Sequence, residues 1–220
     1  MNLSRVRSVV GAAIPRRLAT RRLRPGTASS VLLTFDDGPH ETITPAVLDR
    51  LEVYKARAVF FVIGHRAEQC PRLLRDIAAR GHVLGNHSYT HSPTYFAPNK
   101  PPPLGPFRAD VARCQSLIDP VMRDGPRLFR PPGGRLTIST MLTAQLLGLQ
   151  CIVWSRDVSD WRFRSDDQGR AGGAQLLREI QPADIVLLHD DNPSVLPLLD
   201  VLLPELASRG LDLSAGARYL

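Results

Sequence analysis

Two adjacent carboxylates, Asp36 and Asp37, end the apolar run in "VLLTFDDGPH", residues 31–40, and Gly38 and Pro39 turn the chain directly after them. Like charges side by side at a strand tip repel, so something must offset the repulsion. A dication held by one of them would do so and leave the other free as a general base beside an activated water. Further on, His87 and His91 stand four apart in "HSYTH". On a helical turn that spacing puts both imidazoles on one face, able to grip one ion. Two histidines, a carboxylate and open positions for water are the donor pattern of a catalytic Zn²⁺ site or another divalent site.

More chemistry-bearing residues follow apolar runs in the same way. Arg130 stands in "RPPGG", Asp157, Asp160 and Trp161 in "RDVSDW", and His189, Asp190 and Asp191 in "HDD". Their positions depend on the elements that carry them. Seven strand-like runs begin at 31, 58, 82, 127, 151, 184 and 211, mostly apolar, as strands buried on both faces should be. Six helix-like stretches separate them. Thr44 serves as an N-cap with Pro45 first in the helix, Pro71 opens and Gly81 stops another, and Pro120, Pro197 and Pro204 predict breaks. Alternation of this kind specifies a parallel α/β fold, either an irregular barrel or an open sheet. In both, the strand ends share one face, and five segments bring their polar residues to it. The segment 92–107 holds six prolines and reads as one long irregular loop.

The composition bounds the rest. The chain has 220 residues, 43% of them apolar, enough for a single domain with a sizeable core. No run approaches the roughly 18 apolar residues of a membrane span. Cys70, Cys114 and Cys151 are odd in number and far apart, so they predict neither disulfides nor a paired-cysteine metal site. The net charge of +7 sits wholly in residues 1–30, which carry seven arginines and no acid. Those seven taken from 28 leave residues 31–220 with 21 basic and 21 acidic side chains. A neutral body argues against nucleic acid as a partner. Residues 1–30 read as a basic, poorly ordered extension and 31–220 as the domain. A transit segment, or a patch making weak contact with anionic surfaces, are the other readings of the extension. The expected location is cytoplasmic, or peripheral or targeted if the extension directs it, and the sequence specifies no oligomeric state.

Five motifs in order, "TFDDGP", "HSYTH", "RPPGG", "DVSDW" and "LLHD", resemble the polysaccharide deacetylases of the nodulation-protein type, carbohydrate esterase family four. The resemblance covers about residues 31–213. It implies a distorted (β/α)7 barrel and removal of N-acetyl groups from N-acetylglucosamine units of a poly- or oligosaccharide, with release of acetate. It implies that Asp36 is the general base, that Asp37, His87 and His91 hold the metal, usually zinc, and that Arg130 orients Asp36. Asp160 would pair with His189, the general acid. Trp161 and Leu187 would line the acetyl pocket, and the Gly133 N–H would help hold the oxyanion. Two features depart from the family: Gly133 stands where many relatives have a tyrosine, and the proline-rich segment is long. A metal-assisted hydrolase of a non-sugar amide and an inactive carbohydrate-binding relative are the alternatives. The inactive relative is disfavoured because the acid, the base and all three ligands are present. His40 reads as a loop residue near the site, His65 and His82 as structural, Trp154 as core, and 194–209 as a packed helix. Asp157 and Asp190 read as loop caps or helix N-terminal charges.

Overall fold

The computed structural model describes residues 18–24, 29–98 and 100–220. Among these residues six strands, β1 (Leu32–Asp36), β2 (Ala58–Val62), β3 (Val83–Asn86), β4 (Leu128–Phe129), β5 (Gln150–Cys151) and β6 (Ile185–His189), pair in parallel in the order β5-β4-β3-β2-β1-β6. β1, β2 and β6 are buried at every residue, which is why their sequences are apolar runs without alternation. Register sets Asp36 opposite Phe61 on one side and His189 on the other, so Asp36 and His189 end neighbouring strands at one level.

Among the described residues, seven helices cover the sheet: α1 (Ile43–Val53), α2 (Gly64–Gln69), α3 (Pro71–Ala79), α4 (Leu104–Ile118), α5 (Ile138–Leu146), α6 (Asp166–Glu179) and α7 (Val195–Ser208). The leucine-rich α7 packs its buried face into the core, as expected of that segment. A Cβ on Gly169 of α6 would meet the Ser194 carbonyl at 2.3 Å, so small residues let the two helices approach closely. No helix among the described residues is long and apolar enough to cross a membrane.

The sheet curls back on itself. Past β5 the chain swings to β6, where Arg156 pairs in parallel with Val186 and the Leu187 N–H donates to the Arg156 carbonyl at 2.9 Å. Residues 18–24 fill the rest of that seam. Thr20 bridges Ile152, the Leu23 N–H donates to the Ala183 carbonyl at 2.9 Å, and Ala19 and Leu23 are buried. Arg22 lies 3.2 Å from the buried carboxylate of Asp184. These residues fall inside the span expected to be an N-terminal extension, yet they add to the domain. Residues 1–17 and 25–28 of that span lie outside the described residues.

Other local expectations shift. The seventh strand-like run makes only an isolated bridge, Ser30 with Asp212. α1 starts at Ile43, so Thr44 lies inside its first turn; its hydroxyl accepts from the His40 N–H and donates to Asp190. α4 begins at Leu104, because Pro106 falls in a first turn whose N–H groups need no partner. Part of the proline-rich segment is therefore helical. α7 runs unbroken through Pro204, which faces solvent, where water can satisfy the carbonyl that loses its donor.

Candidate active site

The strand tip at Asp36 answers the question its two carboxylates pose. Successive side chains on a strand point opposite ways. Asp37 leaves the strand with φ of 73°, a left-handed conformation that aspartate tolerates better than most residues, and this re-aims its carboxylate. The turn is clamped from three sides. The Arg66 guanidinium donates to the Asp37 carbonyl at 2.7 Å, and the Ile63 N–H donates to the Gly38 carbonyl at 2.9 Å. Gly38 packs so tightly on the Asp190 carboxylate that a Cβ there would lie 2.3 Å from its oxygens.

Asp36 is buried, and its Oδ1 accepts from Arg130 Nη1 at 2.6 Å. Arg130 is itself wholly buried. It donates to the Thr34 hydroxyl at 2.8 Å and to the Ile152 carbonyl at 3.2 Å, and it lies 4.2 Å from the Phe61 ring centroid. Burial pushes the Asp36 carboxyl above its ordinary range, against the pull of Arg130 and His189.

Asp37, His87 and His91 converge. Each histidine Nε2 lies 3.5 Å from Asp37 Oδ1, and one donor atom from each residue falls within 4.8 Å of the others. His87 does not sit on a helical turn with His91. Ser88 and His91 both have positive φ, and Ser88 Oγ accepts the His91 N–H at 3.1 Å, so a tight irregular loop sets the pair. Asn86 organises that loop: its Oδ1 accepts the Ser88 N–H at 2.8 Å, and its amide is anchored on the Val111 carbonyl of α4. His87 Nδ1 faces the Arg130 carbonyl at 2.8 Å, which selects the tautomer whose Nε2 lone pair looks into the site. Burial lowers the His87 pKa to about 3, so the ring is neutral, as a metal ligand must be. Asp37 Oδ1 is buried and has no hydrogen-bond partner. A buried carboxylate oxygen left without a donor, between two imidazole nitrogens, fits a divalent cation.

On the adjoining strand end, His189 Nδ1 lies 2.8 Å from Asp160 Oδ1, and the His189 N–H donates to Asp160 Oδ2 at 2.8 Å. Burial opposes a charge on His189. The Asp160 hydrogen bond and charge, with Asp36 and Asp37 beyond, outweigh it and raise the pKa to about 9.

Trp161 is half exposed beside a cavity of about 540 Å³ that Asp37, Phe163, Arg164 and Asn192 also line. Leu187 is buried in β6 opposite Thr34. Gly133 is exposed with φ of 62°, and a Cβ on it would lie 3.0 Å from Phe96 Cβ. Phe96 belongs to the proline-rich segment and stacks at a tilt on His91, ring centroids 5.3 Å apart. That segment therefore packs against both the histidine loop and the "RPPGG" loop.

The remaining polar residues settle into structural work. Asp157 accepts from Trp154 Nε1 at 2.8 Å. His40 Nδ1 accepts N–H groups at the start of α1, His65 Nδ1 faces the Tyr89 carbonyl, and His82 Nδ1 accepts the Ala58 N–H at 3.1 Å. Cys114 and Cys151 are free buried thiols, pushed by burial to about 12 and so unreactive. Sequence reasoning missed Thr34, Arg66, Asn86 and Phe96. Only Thr34 and Asn86 left a signal, as polar residues within otherwise apolar buried strands.

The family model for polysaccharide deacetylase matches residues 24–152. A chitooligosaccharide deacetylase of Sinorhizobium fredii is 37% identical over 177 residues, spanning 77% of this chain and 76% of that one. Among solved structures, the Bc1960 peptidoglycan N-acetylglucosamine deacetylase superposes with a TM-score of 0.77 at 27% identity, covering 89% of each chain. Wild-type BA3943 of Bacillus anthracis, a pseudoenzyme of carbohydrate esterase family four, superposes with a TM-score of 0.75 at 25% identity, covering 88% of this chain and 66% of that one. With the model spanning more than half of its residues, the chain belongs to the polysaccharide deacetylase family.

Proposed function

We propose that this protein is a divalent-metal-dependent hydrolase that removes N-acetyl groups from N-acetylglucosamine units of a saccharide, releasing acetate. The observation that carries the reading is the unpartnered Asp37 Oδ1 between His87 and His91, set next to a buried Asp36 that accepts a hydrogen bond from Arg130. The mixed N and O donor set favours zinc. Bound there, such an ion supplies Lewis-acid polarisation of the acetyl carbonyl and a more acidic water.

The chain's own residues do the rest. Asp36 takes the proton from the attacking water at its Oδ2, since Arg130 occupies Oδ1. As the carbonyl carbon becomes tetrahedral, the Gly133 N–H stabilises the developing oxyanion, a contribution of roughly 10²–10³ in rate for such a donor. His189, protonated at neutral pH, gives its Nε2 proton to the departing amine while Asp160 holds the ring by Nδ1. Trp161 and Leu187 shape the space for the acetyl methyl.

Chitin oligomers, peptidoglycan and exopolysaccharide are the candidate substrates. An inactive relative is the second reading, since a pseudoenzyme shares the fold. Acetate release from each saccharide, with and without chelator, tests the proposal. Release from N-acetylglucosamine oligomers separates it from both the inactive relative and a hydrolase of non-sugar amides.

A further inference from the structure

We propose that the outer face of α5 docks on an anionic lipid surface, with the arginines of the N-terminal segment beside it as a second hold. The inference is independent of the deacetylase reading. Among the described helices, α5 is the one without a charged residue. Its inner face is buried through Thr140, Thr143 and Ala144. Ile138, Leu142 and Leu146 recur every fourth residue, so they form one stripe on the outer face, where they are 74%, 39% and 57% exposed. A water-facing apolar stripe with no charge on its own helix marks an interaction surface. The helix starts just past the Gly133 loop, so this surface borders the candidate active site.

Charge around the stripe specifies the partner. Residues 125–156, which carry β4, α5 and β5, hold four arginines and no acid, although residues 31–220 as a whole balance 21 cations with 21 anions. Residues 1–30 hold seven arginines and no acid, and the chain enters the fold from them at this same flank. Ala19 shares a buried cluster with Ala144 of α5, and the Thr20 N–H donates to the Cys151 carbonyl at 2.8 Å. Arg21, Arg22 and Arg24 are exposed. Arg135, just ahead of α5, donates to the carbonyls of Pro98 and Lys100 at 3.1 and 3.4 Å, neutral acceptors that leave its charge in place. The acids that other arginines of the two segments meet are matched: Asp119 with Arg127 at 3.3 Å, Asp36 with Arg130 at 2.6 Å, and Asp184 with Arg22 and Arg156 at 3.2 and 2.9 Å. Apolar side chains that enter the acyl boundary and arginines that pair with headgroup phosphates are the two holds of an interfacial surface. A nucleic acid would engage the arginines and leave the stripe in water. A second copy of this chain would cover the stripe but bring arginines against arginines.

The test is co-sedimentation of the full chain with vesicles of equal parts phosphatidylglycerol and phosphatidylcholine, against vesicles of phosphatidylcholine alone. Partition onto the anionic vesicles should be about tenfold stronger or more, and should weaken in about 1 M salt. Arg17→Gln and Arg21→Gln should each lower it about fivefold. Ile138→Ser, Leu142→Ser and Leu146→Ser combined should lower it about tenfold or more. These side chains face water, so the thermal midpoint of the triple variant should stay within about 2 °C of wild type. If it does not, Leu146→Ser alone carries the comparison, with an expected loss of about threefold. Equal partition onto both vesicles, or serine variants that bind as wild type does, would overturn the inference. Binding to a DNA duplex, or self-association in sedimentation, without binding to the anionic vesicles would overturn it as well.

Discussion

Asp160 grips His189 twice, through the ring Nδ1 and through the backbone N–H, both at 2.8 Å. The double contact fixes the imidazole's tautomer and its direction together, and it keeps the ring charged up to about pH 9. The hydrolysis rate should therefore fall as pH rises through about 9, when the acid is lost. Asp160→Asn should move that limb down toward the ordinary histidine value near about 6.5, and cost about tenfold or more at neutral pH. Stability follows the same sign. The raised pKa contributes stability that is complete below about 6.5 and lost as pH rises through about 9, so the thermal midpoint should decline over that window less in Asp160→Asn than in wild type. A basic limb that stays in place in the variant would contradict the assignment.

Asp36 and Asp37 should separate by readout. Asp37→Asn should lose metal content and rate together. Asp36→Asn should keep metal content and lose roughly 10²–10⁴ in rate. It should also lower the thermal midpoint, because it leaves the wholly buried Arg130 without its counter-charge, a loss of about 3–5 kcal/mol for a broken buried pair. Elemental analysis, turnover and thermal melts on both variants check this. Equal metal loss in the two would mean the roles are misassigned.

Gly133→Ala introduces a methyl 3.0 Å from Phe96 Cβ at a residue whose φ is 62°. The left-handed conformation alone costs an alanine about 1–2 kcal/mol. Turnover should drop about tenfold with metal content intact, since the donor N–H is displaced and the ligands are not. In a Phe96→Gly background the additional loss from Gly133→Ala should be smaller, because the Cβ that the new methyl meets is gone and only the backbone cost remains. Additive losses would show that the two residues do not communicate.

Residues 18–24 should prove part of the domain. Two truncations, one starting at residue 18 and one at residue 31, isolate their contribution. The shorter chain loses the burial of Leu23 and Ala19, and the Asp184 carboxylate loses Arg22. Burial of a leucine is worth about 1.5–3 kcal/mol. The chain from 31 should melt about 5 °C or more below the chain from 18. Equal midpoints would refute this.

The sequence makes the site's chemistry legible because each functional side chain follows an apolar run, and parallel strands place all such ends on one face. Asp36, His87, Arg130 and His189 all stand at or just past strand ends in the structure, next to Asp37 and Asp160. What composition hides is the seam. Residues 18–24 carry charged side chains and short apolar ones, so their backbone pairing with Ile152 and Asp184 leaves no periodic signal. The histidine pair shows a second limit. Four-residue spacing suggests a helix, but the geometry comes from left-handed residues at Ser88 and His91 and from the buried amide of Asn86, each set by tertiary contacts. Phe96 is hidden for a similar reason: only the missing side chain at Gly133 makes room for it.

The proposed reaction is hydrolysis of a sugar N-acetyl group at the Asp37, His87, His91 cluster. Its most direct test is acetate released from an N-acetylglucosamine oligomer by the purified protein, before chelation, after it, and after zinc is returned. Release is expected, with its loss on removal of the metal and its recovery with zinc, and with neither release nor recovery in Asp37→Asn. Release that survives complete metal removal, or none from any N-acetylated saccharide by the metal-loaded protein, would contradict it.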